Sequence, residues 1–442
     1  MATDRILYGR IEGEVMKTFE NKKLNEKVTE TQLANGLRVF VIHKPGFVSS
    51  TAAYMVPFGS LDIRQTTPSG EILESHAGIA HFLEHKLFES NNGTDIMEAF
   101  SALSANVNAF TSNNETVYYF STGETDIAKP LELLLDFVQD LSISETSVEK
   151  EKGIIIQELR MYMQMPEARL MYETYRALFK LHPVRIDIGG SEESVKAITK
   201  PELEELYQAN YHPSNSILVI VTASDCDKII DLVTVNQQKK QFPAITARMR
   251  YIEAEEVKVA KKHHTFTMDI QAKKITYSFK FKPVQGSAMD RLIQEWSLRI
   301  YLELLFSSYN PLYQTWLDEN RINDYFGYEV DITKEYGFAM FYGEKESEED
   351  LIALVNEGLK SDLKHVIAYL DNLKKRYFGQ AVRSLNNPDD MAISFGRCIF
   401  QDLDYFETLE AVNRIKAEDL FEAGKLLDIR HTSIVSVRGK QT

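Results

Sequence analysis

The chain has 442 residues, with 50 Lys and Arg against 65 Asp and Glu, a formal net charge of −15 at pH 7. That balance disfavours nucleic acid and anionic membranes as partners, because both reward clustered positive charge. A hydrophobic content of 44% and only 2 Cys exclude a disordered chain and a disulfide framework, and the length predicts two to four domains.

From Met1 to about Glu30 the sequence is charged and weakly periodic, and reads as an arm packed on a larger body. It carries no apolar leader, and no stretch of the chain approaches 18 uninterrupted apolar residues, so the cytoplasm is the expected compartment. Gly36-Leu-Arg-Val-Phe-Val-Ile-His43 alternates as a strand, and Ser49 to Gly59 reads as a second. Gly78 opens a helix running through Phe88, and another is expected from Gly93 to Leu103. Asn106 to Ser112 and Thr116 to Ser121 form a strand pair about the turn formers Asn113 and Asn114. Leu131 to Leu141 and Ser144 to Met163 carry apolar positions at helical spacing, and Ser216 to Thr222 is a buried strand. Cys226 and Cys398 read as small buried hydrophobes.

Between Gln237 and Val257 the pattern dissolves into a polar run, the expected linker between domains at 1–236 and 258–442. Beyond it the order restarts. Lys274 to Phe281 is a strand, Asp290 to Phe306 a helix, Tyr325 to Asp331 and Tyr336 to Tyr342 a strand pair. Glu348 to Leu370 and Leu373 to Ser384 are helical, and Ser433 to Val437 is a last strand. The repeated order predicts an internal duplication.

His81-Phe-Leu-Glu-His85 places two imidazoles four residues apart, on one helix face a single turn apart. Two such His can bind one zinc ion, and Glu84 lies close enough to handle protons on water at the metal. With 10 His in the chain, H-x-x-E-H arises by chance roughly 0.02 times. A catalytic zinc needs a third protein donor. In Val148-Glu-Lys-Glu-Lys-Gly-Ile-Ile-Ile-Gln-Glu158, Glu151 and Glu158 lie two helical turns apart on one stripe; one can ligate and the other orient.

Gly78-Ile-Ala-His-Phe-Leu-Glu-His-Lys-Leu-Phe88, with a glutamate 73 residues after the second His, resembles the insulinase (pitrilysin-type) family of zinc peptidases. Gly59-Ser-Leu-Asp62, Asn106-Val-Asn-Ala-Phe-Thr-Ser112, Thr116-Val-Tyr-Tyr-Phe120 and Tyr211-His-Pro-Ser-Asn215 agree with it. The likeness covers about residues 30 to 440 and is nearest to the short bacterial, processing-peptidase-like members. It implies an α+β fold: two related α/β-sandwich domains, each a mostly antiparallel sheet with helices on one face, forming one half of a clamshell. It implies His81, His85 and Glu158 as ligands of one Zn2+, Glu84 as general base and Glu151 as the carboxylate behind the ligands. Asn108 and Ala109 would belong to an edge strand that pairs with the substrate backbone.

The second half has no H-x-x-E-H. Family members place an Arg and a Tyr there that reach the peptide; Arg321 and Tyr328 show their spacing, but Leu317 occupies the usual register of the Arg. The displacement is about one helical turn, roughly 5–6 Å. The reading that follows is a zinc endopeptidase or oligopeptidase for short or unfolded peptides, acting as the metal-bearing subunit of a heterodimer whose second family subunit supplies Arg and Tyr. A homodimer, and a non-hydrolytic scaffold subunit of an assembly, are the alternatives.

Overall fold

The computed structural model describes residues 7–11, 14–89, 95–124, 126–245 and 247–439. The first six residues of the expected arm and the Gly93 start of the expected second helix lie outside them.

In the first half the strands run β1 (Leu7–Ile11), β2 (Glu14–Asn21), β3 (Glu26–Gln32), β4 (Arg38–His43), β5 (Ser50–Val56), β6 (Arg64–Thr66), β7 (Ile72–Glu74), β8 (Ala105–Thr111), β9 (Thr116–Thr122), β10 (Ile217–Thr222) and β11 (Met249–Arg250). Eight of them form one sheet in the order β1-β2-β3-β4-β10-β5-β9-β8. The weakly periodic N-terminal stretch is thus strand rather than arm. Its alternation is masked because β3 fills inward positions with Glu26, Thr29 and Thr31 as well as Val28; the buried Glu26 carboxylate is paired with Lys44 at 2.5 Å.

The second half carries β12 (His263–Met268), β13 (Lys274–Phe281), β14 (Gly327–Ile332), β15 (Gly337–Glu344) and β16 (Thr432–Gly439), ordered β12-β16-β13-β15-β14. This repeats β4-β10-β5-β9-β8 strand for strand. Even the single parallel pair recurs, β10 with β4 and β16 with β12, so the duplication predicted from element order is a duplication of topology. Both sheets are otherwise antiparallel among these strands.

Two compact units result, 1–159 with 187–251 and 382–405, and 160–186 with 252–381 and 406–442. The units are therefore not consecutive in sequence. One crossing, between Tyr251 and Ile252, lies inside 237–257; the crossings near 160, 186, 382 and 405 have no compositional signal.

In the first unit α1 (Ile79–Leu87), α2 (Ile96–Ala102) and α3 (Ala128–Val138) pack on one sheet face with Val39, Val41, Ala52, Tyr54, Leu218 and Ile220. The alternate residues of the same strands face helix Pro388–Phe400. There Phe40 meets Phe395 with ring centroids 5.3 Å apart, and a Cβ at Gly396 would lie 2.1 Å from Met55 Sδ. Burial on both faces explains why β4, β5 and β10 read as continuous apolar runs. α4 (Glu145–Gln164) follows α3.

The second unit has its own core, with Phe279, Leu298, Leu302, Phe341 and the fully buried Trp316. A charge clamp ties its segments. Glu255 accepts from the backbone N–H of Lys180, Leu181 and His182 at 3.0, 2.7 and 2.7 Å, and from Lys280 Nζ at 2.8 Å. Burial opposes ionisation of Glu255, but these donors outweigh it and hold its pKa at about 2. A depressed carboxyl pKa contributes stability above its unfolded value near 4.5, lost as pH falls toward 2. Glu255→Gln is therefore expected to cost on the order of 2 kcal/mol at pH 7, with a gap to the wild type that narrows between pH 4.5 and 2 in urea titrations. A gap independent of pH would show that the clamp is not its source.

Candidate active site

α1 buries Ile79, Ala80, Phe82, Leu83, Lys86 and Leu87. The residues left over at i, i+3 and i+4 are His81, Glu84 and His85, so core packing turns all three the same way. The helix starts abruptly. Gly78 has φ 89°, and a Cβ there would lie 2.3 Å from the carbonyl oxygen of Gly189, so only glycine lets this backbone approach.

α4 brings Glu158 to that face. Glu158 Oε2 lies 3.9 Å from His81 Nε2 and 3.6 Å from His85 Nε2, and the three donor atoms all fall within 4.8 Å of one another. Zinc with bonds of about 2.0–2.2 Å in a tetrahedral arrangement sets donors roughly 3.3–3.5 Å apart. The donor set, two imidazoles and a carboxylate, fits a zinc ion with one open position, and the separations here, 3.6 Å and more, are wider than that spacing.

The second glutamate of the stripe has a different partner. Glu151 Oε1 lies 3.0 Å from His85 Nδ1. The His85 bond lowers the Glu151 pKa against the opposing effect of burial, so the carboxylate only accepts and Nδ1 carries the proton. Burial opposes the charged form of His85, but Glu151, Glu84 and Glu158 outweigh it and raise its pKa, so a metal would compete with a proton for the Nε2 lone pair that faces Glu158. Burial pushes the pKa of His81 down to about 4, which keeps this imidazole neutral and able to donate to a metal at pH 7.

Glu84 is held from the other side. Thr111, the last residue of β8, donates its hydroxyl to Glu84 Oε2 at 2.6 Å. Burial raises the Glu84 pKa, only partly offset by that bond, so this carboxylate holds a proton more readily than a solvated glutamate does.

β8 is the outermost strand of its sheet. Asn108 is exposed, and its Oδ1 accepts from the N–H of Ala109 at 2.9 Å, so the side chain occupies an edge donor that an added strand could take. The turn at its end is pinned. Arg250 grips Asp62 at 2.9 and 2.6 Å and Asn114 Oδ1 at 2.6 Å, and Asp62 accepts from the Gly59 N–H at 2.8 Å.

Arg321 and Tyr328 lie in the second unit and have separate partners. Arg321 bonds Glu357 at 2.6 Å. Tyr328, half-buried on β14, lines a cavity of about 360 Å3 with Glu295, Trp296, Arg299 and Tyr377. Sequence reasoning missed Thr111 and Arg250, whose contacts join distant segments; Thr111 lies within the expected strand Asn106 to Ser112, and Arg250 has no signal in the sequence.

Residues 38–192 match the family model described as Insulinase (Peptidase family M16), and residues 197–366 match Peptidase M16 inactive domain. The chain is 35% identical over 409 residues to "Uncharacterized zinc protease YmfH" of Bacillus subtilis (strain 168), covering 92% of this chain and 95% of that one. It is 27% identical over 209 residues to "Probable mitochondrial-processing peptidase subunit beta" of Schizosaccharomyces pombe, 47% of this chain and 45% of the relative. Among solved structures, an M16-like peptidase from Alicyclobacillus acidocaldarius superposes with a TM-score of 0.86 at 29% identity, covering 94% of this chain and 99% of that one. Among the described residues no helix is long and apolar enough to cross a membrane.

Proposed function

The chain belongs to the insulinase family of peptidases (peptidase family M16), and from that membership we propose that it is a zinc-dependent endopeptidase or oligopeptidase. One zinc ion would be held by His81, His85 and Glu158. The observation that supports this most is the convergence of their three donor atoms within 4.8 Å, beside a glutamate that does not join them. Bound zinc supplies a Lewis acid that acidifies water and polarises a peptide carbonyl.

The rest of the chemistry falls to side chains. Glu84 accepts the proton from the attacking water and passes it to the leaving amine; Thr111 fixes the plane of its carboxylate. Glu151 orients His85. An extended peptide added to β8 would displace the Asn108 side chain from the Ala109 N–H and be held by main-chain bonds that do not read sequence. Short or unfolded peptides are the substrates this favours.

We further propose that the chain is the metal-bearing subunit of a two-chain peptidase. Supporting this, Arg321 already bonds Glu357 and stands out of the family register, so the Arg and Tyr that reach the peptide would come from a second family subunit. Zinc-loaded chain, purified alone and then mixed with a family relative from the same genome that lacks H-x-x-E-H, is the test. About one zinc per chain and peptide cleavage that rises on mixing are expected. Full cleavage by the lone chain would overturn the two-chain reading, and a folded chain that takes up no zinc would favour a scaffold.

A further inference from the structure

Resting on the reading of His85 as a metal ligand, we infer that Lys86 is a positioning residue for the metal centre, acting through Glu151. Lys86 follows His85 by one position and is therefore turned about 100° around the helix, into the core face with Phe82, Leu83 and Leu87. Its side chain is 0% exposed. A lysine on a helix flank ordinarily carries its ammonium out to water; this one does not. Burying an ammonium is unfavourable unless opposite charge meets it, and an uncharged Met would fill the same space.

The compensating charges are Glu89 and Glu151. Lys86 Nζ is ion-paired with Glu89, and lies 3.9 Å from Glu151 Oε2, contacts of charge rather than aligned hydrogen bonds. Glu151 is itself 8% exposed, and its oxygens are divided between consecutive residues of α1: Oε1 takes the His85 Nδ1 proton at 3.0 Å, and Oε2 faces Lys86. Anchoring both oxygens stops the carboxylate from turning away from His85. One carboxylate thereby fixes the α4 glutamate stripe against the helix that carries both imidazoles, and the ring of His85 inherits that orientation.

The test is a double-mutant cycle on zinc affinity, measured by competition with a chromophoric chelator, in the full chain with Lys86→Met, Glu151→Gln and both. Loss of an outer-shell partner weakens metal binding about 10–100-fold; Lys86→Met is expected to lie at the lower end. The double variant should bind zinc within about twofold of Glu151→Gln alone. Zinc affinity of Lys86→Met within twofold of wild type overturns the inference, as does a double variant that loses the product of the two single effects. Thermal melting of the metal-free variants separates the core from the centre, with Lys86→Gln run in parallel. If neither Lys86 variant folds without metal, the residue serves the core and the inference also fails. Wild-type zinc affinity in His81→Ala would instead overturn the metal reading itself.

Discussion

Replacing Glu84 with Gln is expected to lower kcat for peptide hydrolysis by about 10²–10⁴-fold, the usual contribution of a general base, with zinc content unchanged. The reason is geometric. Glu84 shares the polar face of α1 with His81 and His85, but the donor atoms that converge are those of the two imidazoles and Glu158. The amide of Gln can still accept the Thr111 hydroxyl, so the side chain keeps its place and loses only its proton affinity. Metal analysis beside single-turnover assays checks both halves. Loss of zinc would make Glu84 a structural part of the metal site, and retained turnover would remove it from the chemistry.

His81→Ala is expected to weaken zinc by about 10³-fold or more, since one of three protein donors disappears from a site whose whole binding energy is of order 10 kcal/mol. The fold should tolerate it. The His81 side chain is 16% exposed and stands outside the apolar face made by Ile79, Phe82 and Leu83, so melting of the metal-free protein should change by only a few degrees. Chelator competition and calorimetry on the same preparations separate the two quantities. A variant that keeps wild-type zinc affinity would show that the metal, if bound, is held elsewhere.

The parts of this molecule legible in its sequence are those in which chemistry and periodicity are local. His81 and His85 signal a shared ligand because four residues make a turn, and Glu151 and Glu158 signal a stripe because seven make two. The strand order restarts because β13 to β16 read as strands in the order of the first half, whereas β12, with His263, His264 and two threonines in six residues, has no apolar pattern to read. What stayed hidden depends on tertiary proximity or on polar burial. Thr111 reaches Glu84 across 27 positions, and no pattern within either helix or strand encodes that bond. Lys86 looks like any solvent-facing lysine until its neighbours Phe82, Leu83 and Leu87 define the core side of the helix. The N-terminal strands escaped because Glu26, Thr29 and Thr31 occupy inward positions where hydropathy expects Val or Ile. The same blindness applies to Gly396, whose missing Cβ matters only because Met55 fills the space.

The return of helix Pro388–Phe400 to the first sheet has a consequence for synthesis. The metal-site unit needs residues 382–405, so a ribosome must pass the whole of segment 252–381 before that sheet can be covered on both faces. At about 5–20 residues per second, the face bearing Phe40 and Met55 waits roughly 7–30 s after Tyr251 has been joined. During that interval the nascent chain presents continuous apolar strands without their covering helix. Closure of this sheet is therefore a late step of folding, and until it occurs the uncovered strands are an aggregation-prone surface.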